Sequence, residues 1–173
     1  MSQTTYSLAQ LNAMDAVQFV QALGGIYEHS PWVAEQAAAQ RPFASTEALT
    51  AAMRHAVDAA GEAPQLKLVR AHPELAGKAA VRGELTAQST REQAGAGLDQ
   101  CSPEEFARLQ SLNTRYNEKF GFPFILAVRG YDRHGIIDAF AKRVDNDHAT
   151  ELRASLEQIH RIAGFRLHDL ISG

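Results

Sequence analysis

The chain has 173 residues, of which 45% are apolar and 21% are charged, and its formal net charge is −3. This length and composition suit a globular domain with a hydrophobic core and argue against a disordered chain. The slight negative charge and the scattered Lys and Arg residues give no electrostatic reason to expect nucleic acid or an anionic membrane as a partner. Cys101 is the one cysteine, so an internal disulfide is excluded, which fits a reducing compartment.

Apolar residues recur at helical spacing along nearly the whole chain. In chain order, Ser30 is expected to cap a helix and Pro31 to lie in its first turn. An Ala-rich helix then begins at Ser45 and ends at Gly61. Its apolar side chains recur every four residues and predict one buried stripe, which consists of Leu49, Met53 and Val57.

The strongest helix signal begins at Ser102, which we expect to cap the helix. Pro103 suits the first turn, Glu105 completes a capping box, and Gly121 is expected to end the helix. One face of this helix should be buried, and the side chains expected on it are Phe106, Leu109, Tyr116 and Phe120.

The last predicted helix runs from about Asp147 to Ile171. Its expected inner stripe consists of Leu152, Leu156, Ile159, Ala163 and Leu170. Strand signals are nearly absent. The apolar run at residues 122–128 lacks helical spacing, so it could be a buried extended segment or the start of a helix. These patterns predict an all-α fold, a single compact domain of about eight helices that spans residues 1–173.

Targeting signals are missing from the sequence. No segment reaches the roughly 18 apolar residues that would suggest a membrane span. The first 15 residues lack the basic and apolar regions of a signal peptide. The final residues, HDLISG, differ from a peroxisomal Ser-Lys-Leu address. We therefore expect a cytoplasmic protein.

The stretch AHPELAGK, residues 71–78, contains a histidine at a predicted helix break. Pro73 disfavours helical conformation at His72, so the preceding helix should end there. An imidazole with a pKa of about 6.5 can donate or accept a proton at neutral pH, which makes His72 a candidate catalytic residue. The alternative is a histidine that only interacts with the helix C-terminus, where the helix dipole favours it.

A second stretch, STREQAGAGL, begins at Ser89. Ser89, Glu92 and Gln93 share one face of a helix, where a hydroxyl, a carboxylate and an amide can bind a small polar ligand. The alternative is that Ser-x-x-Glu forms a capping box and Ser89 simply caps a helix.

A third stretch, YNEKFGFPFILAVRG, contains the apolar run and ends in Arg129 and Gly130. If the run is irregular, its backbone N–H groups need partners, and a bound ligand can supply them. Arg129 can pair with a carboxylate of a ligand. Its alternative is a structural salt bridge with Glu118 or Asp138.

Glu157 and His160 match the Glu-x-x-His pattern of di-iron bundles, but the sequence lacks the second copy and the further carboxylates that such a site needs. We therefore expect no metal site. Five other histidines have no potential partner at a spacing typical of a functional site, and we expect them at the surface or at helix ends. They are His29, His55, His134, His148 and His168.

Three motifs occur in a fixed order. They are His-Pro-Glu-Leu-Ala-Gly-Lys at 72–78, Ser-x-x-Glu-Gln-x-x-Ala-Gly-Leu at 89–98, and Asn-x-x-Tyr-x-x-Lys-Phe-Gly-Phe-Pro-Phe-Ile-x-x-x-Arg-Gly at 113–130. Together they resemble the OHCU decarboxylase family, where OHCU is 2-oxo-4-hydroxy-4-carboxy-5-ureidoimidazoline. The resemblance covers most of the chain. Glu74 stands where many members have Asp, which is a conservative departure.

This resemblance implies an all-α carboxy-lyase of urate breakdown that is usually a homodimer. It implies decarboxylation of OHCU to S-allantoin, after urate oxidation and the hydrolysis of 5-hydroxyisourate. It also implies that no metal and no organic cofactor takes part. The implied partner is a small cyclic ureide, with no role for nucleic acid or a membrane.

By motif match, the catalytic histidine of the family falls on His72, and we expect Glu92 to orient His72 or the substrate ring. The substrate-binding positions that the resemblance implies are Pro73, Ser89, Thr90, Arg91, Glu92, Gln93, the backbone of Phe124, Ile125, Leu126, Ala127 and Val128, and Arg129. Two other interpretations stay open: a lyase for a related cyclic ureide, and a non-enzymatic all-α interaction module whose polar motifs are helix caps.

Overall fold

The chain folds into α-helices within residues 3–172, the part that this computed structural model describes. Eight of the ten helices have seven residues or more, and no β-strand occurs between residues 3 and 172. The predicted all-α fold of about eight helices is therefore confirmed. The helices are α1 (Leu8–Ala13), α2 (Ala16–Leu23), α3 (Trp32–Ala38), α4 (Thr46–Ala59), α5 (Glu62–Ala71), α6 (Lys78–Val81), α7 (Ala87–Gly95), α8 (Pro103–Phe120), α9 (Arg133–Arg143) and α10 (His148–Leu170).

The described chain divides into two compact units. The first contains residues 3–71 together with 160–172, and the second contains residues 72–159. Helices α1 to α5 belong to the first unit and α6 to α9 to the second, while α10 belongs to the second unit up to Ile159 and to the first from His160. That residues 1–173 form one domain stays a prediction.

Several helix ends follow the local signals in the sequence. Ser45 caps α4, since its Oγ accepts a hydrogen bond from Ala48 N over 3.1 Å. Ser102 and Glu105 form the predicted capping box at the start of α8, with hydrogen bonds of 3.1 and 2.9 Å. Gly121 ends α8 with a φ of 73°, a conformation that glycine adopts at little cost.

Two local expectations are wrong. Ser30 does not cap α3, because its hydroxyl donates to Glu28 O over 2.9 Å, and Pro31 precedes the helix without a side-chain cap. Phe106 is 38% exposed rather than buried, since it lies in the first turn of α8, where that face still meets solvent. The other three residues expected on the inner face of α8 are buried, namely Leu109, Tyr116 and Phe120.

The first unit buries the predicted stripe of α4, which is Leu49, Met53 and Val57. It also buries an ion pair that the sequence patterns did not predict. Arg166 Nη1 lies 2.7 Å from Glu28 Oε2, and both side chains are buried. Such a pair is tolerated inside a protein because each charge offsets the cost of burying the other.

The second unit has an aromatic core. Phe124 and Phe140 stack with ring centroids 3.9 Å apart and planes 11° from parallel. Tyr116 of α8 contacts both rings edge-on, at centroid distances of 5.5 and 5.8 Å. This packing fixes the segment that carries Phe124 against α8 and α9.

The inner face of α10 differs from the predicted stripe. Ile159 and Ala163 are buried as expected, but Leu152, Leu156 and Leu170 are only half-buried. Ile162 and Leu167 are buried as well, and so are four polar residues, namely Glu151, Ser155, His160 and Arg166. None of the helices within residues 3–172 is both long and apolar enough to cross a membrane.

Candidate active site

His72 follows directly on the end of α5 at Ala71, as the neighbouring Pro73 predicts. Its side chain is buried, with 8% of its surface exposed. The histidines that we expected at the surface or at helix ends are all exposed, and they are His29, His55, His134, His148 and His168. Burial therefore sets His72 apart from these residues.

The loop after Pro73 is conformationally unusual. Ala76 has a φ of 51°, a left-handed conformation that costs a residue with a Cβ about 1–2 kcal/mol. The turn is also tight at Gly77, where an added Cβ would lie 2.6 Å from the Cβ of Glu74. Such a conformation persists only when surrounding groups hold it.

Gln93 of α7 holds this loop with both ends of its amide group. Its Oε1 accepts a hydrogen bond from Ala76 N over 3.0 Å, and its Nε2 donates to Glu74 O over 3.2 Å. Because Gln93 belongs to the second motif, this amide joins that motif directly to the loop that follows His72.

Three amide side chains of α8 hold the same loop. Their hydrogen bonds run from Gln110 Nε2 to Ala76 O (2.6 Å), from Asn113 Nδ2 to Leu75 O (3.0 Å) and from Asn117 Nδ2 to the Glu74 carboxylate. We call Gln93, Gln110, Asn113 and Asn117 the amide clamp. The role of the amide clamp was not predicted from the sequence. The one signal for it is the spacing of Gln110, Asn113 and Asn117, which places them on one face of a helix.

Helix α7 begins after Thr86, whose Oγ1 accepts a hydrogen bond from Ser89 N over 3.2 Å. Thr86 is thus the N-cap, and Ser89 is the third residue inside the helix. The alternative that Ser89 itself caps the helix is wrong, because Thr86 offers a hydroxyl three residues earlier. The Ser89 side chain is buried.

The face of α7 that carries the second motif is the face that the protein buries. Ser89 and Gln93 are buried and Glu92 is half-buried. Thr90 and Arg91 are exposed, because their positions fall on the opposite side of the helix. Ser89, Glu92 and Gln93 therefore share one side of α7, as their spacing predicts.

Residues 122–128 form a buried segment without regular secondary structure, so the alternative that they begin a helix is wrong. Two side chains bind its backbone: Gln158 Oε1 accepts from Ala127 N over 3.0 Å, and Arg143 Nη1 donates to Ile125 O over 2.5 Å. Arg129 follows the segment at an exposed turn. The residues whose backbone we expect to bind substrate are all buried, namely Phe124, Ile125, Leu126, Ala127 and Val128.

Arg143 is fixed in turn by a buried carboxylate. Its Nε and Nη2 both lie 3.0 Å from Glu151 Oε1. Tyr116 OH and Asn146 Nδ2 also donate to this carboxylate, over 2.6 and 3.1 Å. Burial, and then the hydrogen bond to Glu151, raise the pKa of Tyr116, so its hydroxyl stays a donor. The Arg143 guanidinium also covers the Phe124 ring at 4.6 Å.

No group of three or more His, Cys, Asp or Glu side chains between residues 3 and 172 is arranged to hold a metal ion. Both ring nitrogens of His160, which belongs to the Glu-x-x-His pattern, lie within hydrogen-bond distance of side chains of the first unit. Nδ1 lies 2.8 Å from Tyr27 OH, and Nε2 lies 3.2 Å from Asp58 Oδ1. The expectation of no metal site stays a prediction.

Comparison with known proteins identifies the family. The sequence model of the OHCU decarboxylase family matches residues 12–168. A 2-oxo-4-hydroxy-4-carboxy-5-ureidoimidazoline decarboxylase of Haloferax volcanii is 45% identical over 166 residues, which cover 96% of each chain. The chain belongs to the OHCU decarboxylase family. A Homo sapiens protein named as a putative OHCU decarboxylase is 40% identical over 164 residues, which cover 95% of each chain. The family that the three motifs predict is therefore confirmed.

Two solved structures agree with the fold of this OHCU decarboxylase family member. A crystal structure of (S)-allantoin synthase superposes with a TM-score of 0.75 at 31% identity, and the match covers 96% of this chain and 54% of the other. This chain thus spans about half the length of that protein. An OHCU decarboxylase crystallised in the presence of (S)-allantoin superposes with a TM-score of 0.70 at 20% identity, over 92% of this chain and 100% of the other.

The second unit contains groups that can in general transfer a proton or bind a polar ligand. A buried imidazole follows a helix end, a clamped loop succeeds it, and a polar face of α7 is joined to that loop through Gln93. An imidazole can transfer a proton, and the hydroxyl, carboxylate and amide can bind both donors and acceptors of a ligand.

Proposed function

We propose that this chain decarboxylates OHCU to S-allantoin in urate breakdown, with His72 as the residue that transfers a proton. The chain is a carboxy-lyase of the OHCU decarboxylase family. One observation carries the reaction: the match to the Haloferax volcanii decarboxylase, at 45% identity, extends over 96% of both chains. All three motifs of this chain, at residues 72–130, lie within the residues 12–168 that the family model matches.

The substrate itself favours a mechanism without a cofactor. Its carboxylate is bonded to a carbon beside a ring C=N bond. When the C–C bond breaks, carbon dioxide leaves, its electron pair forms a C=C bond between the two ring carbons, and the π electrons of the C=N bond move to nitrogen, which takes up a proton; the product is an enol-like intermediate. Protonation of that intermediate on one face gives S-allantoin. Because the substrate supplies its own electron sink, neither pyridoxal nor thiamine is required.

In this proposal, His72 holds or delivers the proton at the reacting centre, and Glu92 accepts hydrogen bonds from N–H groups of the ring or the ureido chain. Ser89 and Gln93 bind the ring carbonyl and amide groups. Gln93 has capacity for this, since an amide oxygen accepts two hydrogen bonds and an NH₂ group donates two. The hydrogen bonds from Gln93 to the loop use one acceptor site of Oε1 and one N–H of Nε2.

The remaining assignments of the proposal concern the pocket walls and the assembly. Pro73 and the backbone of residues 124–128 contact the substrate, while the exposed side chains of Thr90, Arg91 and Arg129 contribute less than Ser89 and Gln93. The protein acts as a homodimer in the cytoplasm and uses no metal and no organic cofactor.

The decisive experiment measures product chirality. Urate is oxidised and hydrolysed in place by the two upstream enzymes, and circular dichroism follows the product with and without this protein. We expect rapid formation of S-allantoin above the slow racemic background reaction. Racemic product at the background rate from folded protein would contradict the proposed reaction.

Substitution of His72 tests its role. His72→Ala and His72→Asn should each lower the rate of S-allantoin formation by about 10²–10⁴-fold, the usual contribution of a positioned acid or base. Glu92→Gln should also lower the rate. His55→Ala, which changes an exposed histidine, should leave it unchanged. A folded His72→Ala variant with near-normal stereospecific turnover would remove His72 from the mechanism.

Two rivals are separated by simple measurements. A panel of related cyclic ureides decides whether OHCU is the preferred substrate. The interaction-module alternative predicts that allantoin does not stabilise the fold. Under our proposal the product binds, and a ligand at 100 times its Kd raises the free energy of unfolding by about 2.7 kcal/mol, which a thermal shift detects.

A further inference from the structure

We infer that Asn113 and Gln110 are positioning residues for His72 and act on it through the loop of residues 74–76. The inference rests on the proposed function of His72. The two side chains donate to consecutive main-chain carbonyls, Leu75 O at 3.0 Å and Ala76 O at 2.6 Å. Neither residue belongs to the set that the family resemblance implies as catalytic or substrate-binding.

Few soft dihedral angles separate the clamped carbonyls from His72. The intervening Pro73 has its φ fixed near −65° by its ring. Ala76 holds a left-handed φ of 51°, from which an unrestrained alanine would relax. When the hydrogen bonds to Leu75 O and Ala76 O are lost, the loop can relax, and the displacement passes through the rigid proline to His72.

The environment of Asn113 indicates a purpose other than stability. The residue is 3% exposed, and its Oδ1 has no hydrogen-bond partner among residues 3–172. A buried amide oxygen without a partner is unfavourable, so an apolar residue would suit this position better for packing alone. What Asn113 provides is the donor to Leu75 O. We attribute its presence to control of the loop.

Loss of the donor should mainly reduce the rate of the chemical step. A displacement of about 1 Å at a reacting group can cost about 100-fold in rate. Asn113→Ala should therefore lower kcat by about 10- to 100-fold. KM should change less, by under about threefold, because Ser89, Glu92 and Gln93 stay on α7 and only the contact from Pro73 moves with the loop.

The chain offers a matched control in its first unit. Asn12 Nδ2 donates to Phe43 O over 2.9 Å, and Asn12 Oδ1 accepts from Phe43 N over 2.8 Å. Asn12→Ala thus removes the same kind of side-chain to main-chain contact from a different loop. Both variants should lower Tm by about 2–8 °C, but Asn12→Ala should leave kcat unchanged when activity is measured well below Tm.

A spectroscopic measurement separates positioning from general destabilisation. Nitrogen-15 NMR of the imidazole rings reports the environment of each histidine, and the His72→Asn variant identifies the His72 signal. Asn113→Ala should shift the His72 signal and leave that of His160, in the first unit, in place. Asn12→Ala should leave the His72 signal unchanged.

Gln110→Ala provides a second, milder test, which is needed if Asn113→Ala does not fold. Gln110 is only half-buried, so its loss leaves a smaller packing defect. We expect a lower kcat and a shifted His72 signal here too. If wild-type protein forms S-allantoin in a His72-dependent way while both variants match Asn12→Ala in kcat and spectrum, this inference is wrong and the proposed function stands. A wild-type protein that forms no S-allantoin overturns both.

Discussion

Tyr116 donates its hydroxyl hydrogen to Glu151 over 2.6 Å inside the aromatic core. We predict that Tyr116→Phe lowers the free energy of unfolding by about 1.5–3 kcal/mol, the usual contribution of a hydrogen bond to a charged group. Urea unfolding measures the change. Tyr131→Phe is the control, since Tyr131 is partly exposed and its loss should cost less than about 0.5 kcal/mol. Equal losses of unfolding free energy in the two variants would show that the hydrogen bond to Glu151 contributes no more to stability than the hydroxyl of Tyr131.

The roles of single residues were predictable where their hydrogen-bond partners lie within about one helical turn. Ser102 and Gly121 act within four residues of their positions, so the sequence pattern contained both partners. The predicted helix cap at Ser30 is wrong because a nearby carbonyl, Glu28 O, accepts a hydrogen bond from its hydroxyl. Asn113 could not be assigned a role, because its acceptor lies 38 residues away and is a main-chain oxygen without any sequence signature.

At the scale of elements, the segment of residues 122–128 depends on α10 for a backbone partner. Gln158→Ala removes the acceptor of Ala127 N, and a buried N–H without a partner costs about 1–3 kcal/mol. We therefore predict lower stability and, since this backbone is proposed to contact substrate, a higher KM. Unfolding curves and steady-state kinetics measure the two effects.

Gln158→Glu is the matched control for this prediction, because a carboxylate oxygen can still accept from Ala127 N. It should retain more stability and a lower KM than Gln158→Ala. If both variants behave alike, the hydrogen bond to Ala127 is not what holds the segment.

The inner face of α10 shows where periodicity misleads. The pattern placed Leu152 and Leu156 inside, yet Glu151 and Ser155 are the buried residues. A charged residue is expected to face solvent unless its partner is known. The partner of Glu151 is Arg143, which belongs to another helix. Helix existence follows from local spacing, whereas the orientation of a polar helix depends on pairs that spacing cannot reveal.

At the scale of the whole molecule, two carboxylates, the half-buried Glu105 and the exposed Asp147, connect stability to pH. A hydrogen bond from Ser102 N, and then one from Arg133, hold the pKa of Glu105 below its ordinary value. A hydrogen bond from Thr150 N does the same for Asp147 at the start of α10. Both groups bind protons more readily in the unfolded chain, so their contribution is present above the unfolded pKa and is lost as pH falls through the folded pKa.

We therefore predict that Tm falls as the pH is lowered from about 5 to about 3. The double substitution Glu105→Gln with Asp147→Asn keeps side chains that can cap both helices but removes their titration, so its Tm should fall less steeply. Circular dichroism melts across this pH range measure the slope. Parallel slopes for the two proteins would show that other groups control the acid sensitivity.

The all-α fold and the family were predictable for the molecule as a whole, because helical spacing extends along the chain and three motifs occur in order. The contacts that connect those motifs were not predictable. Gln93 was expected to bind substrate, and the structure also gives it Ala76 N and Glu74 O as partners. Nothing in the sequence marks a glutamine as the partner of main-chain atoms 17 and 19 residues away.

The amide clamp contains only neutral side chains, and asparagine and glutamine do not ionise in water. Four of its five contacts with the loop end on main-chain atoms, which do not ionise either. Those four contacts are therefore the same on the acidic and on the basic side of the pKa of an ordinary histidine, about 6.5. A change in turnover across that range would report on proton exchange at the reacting groups, because these hydrogen bonds have no proton to gain or lose.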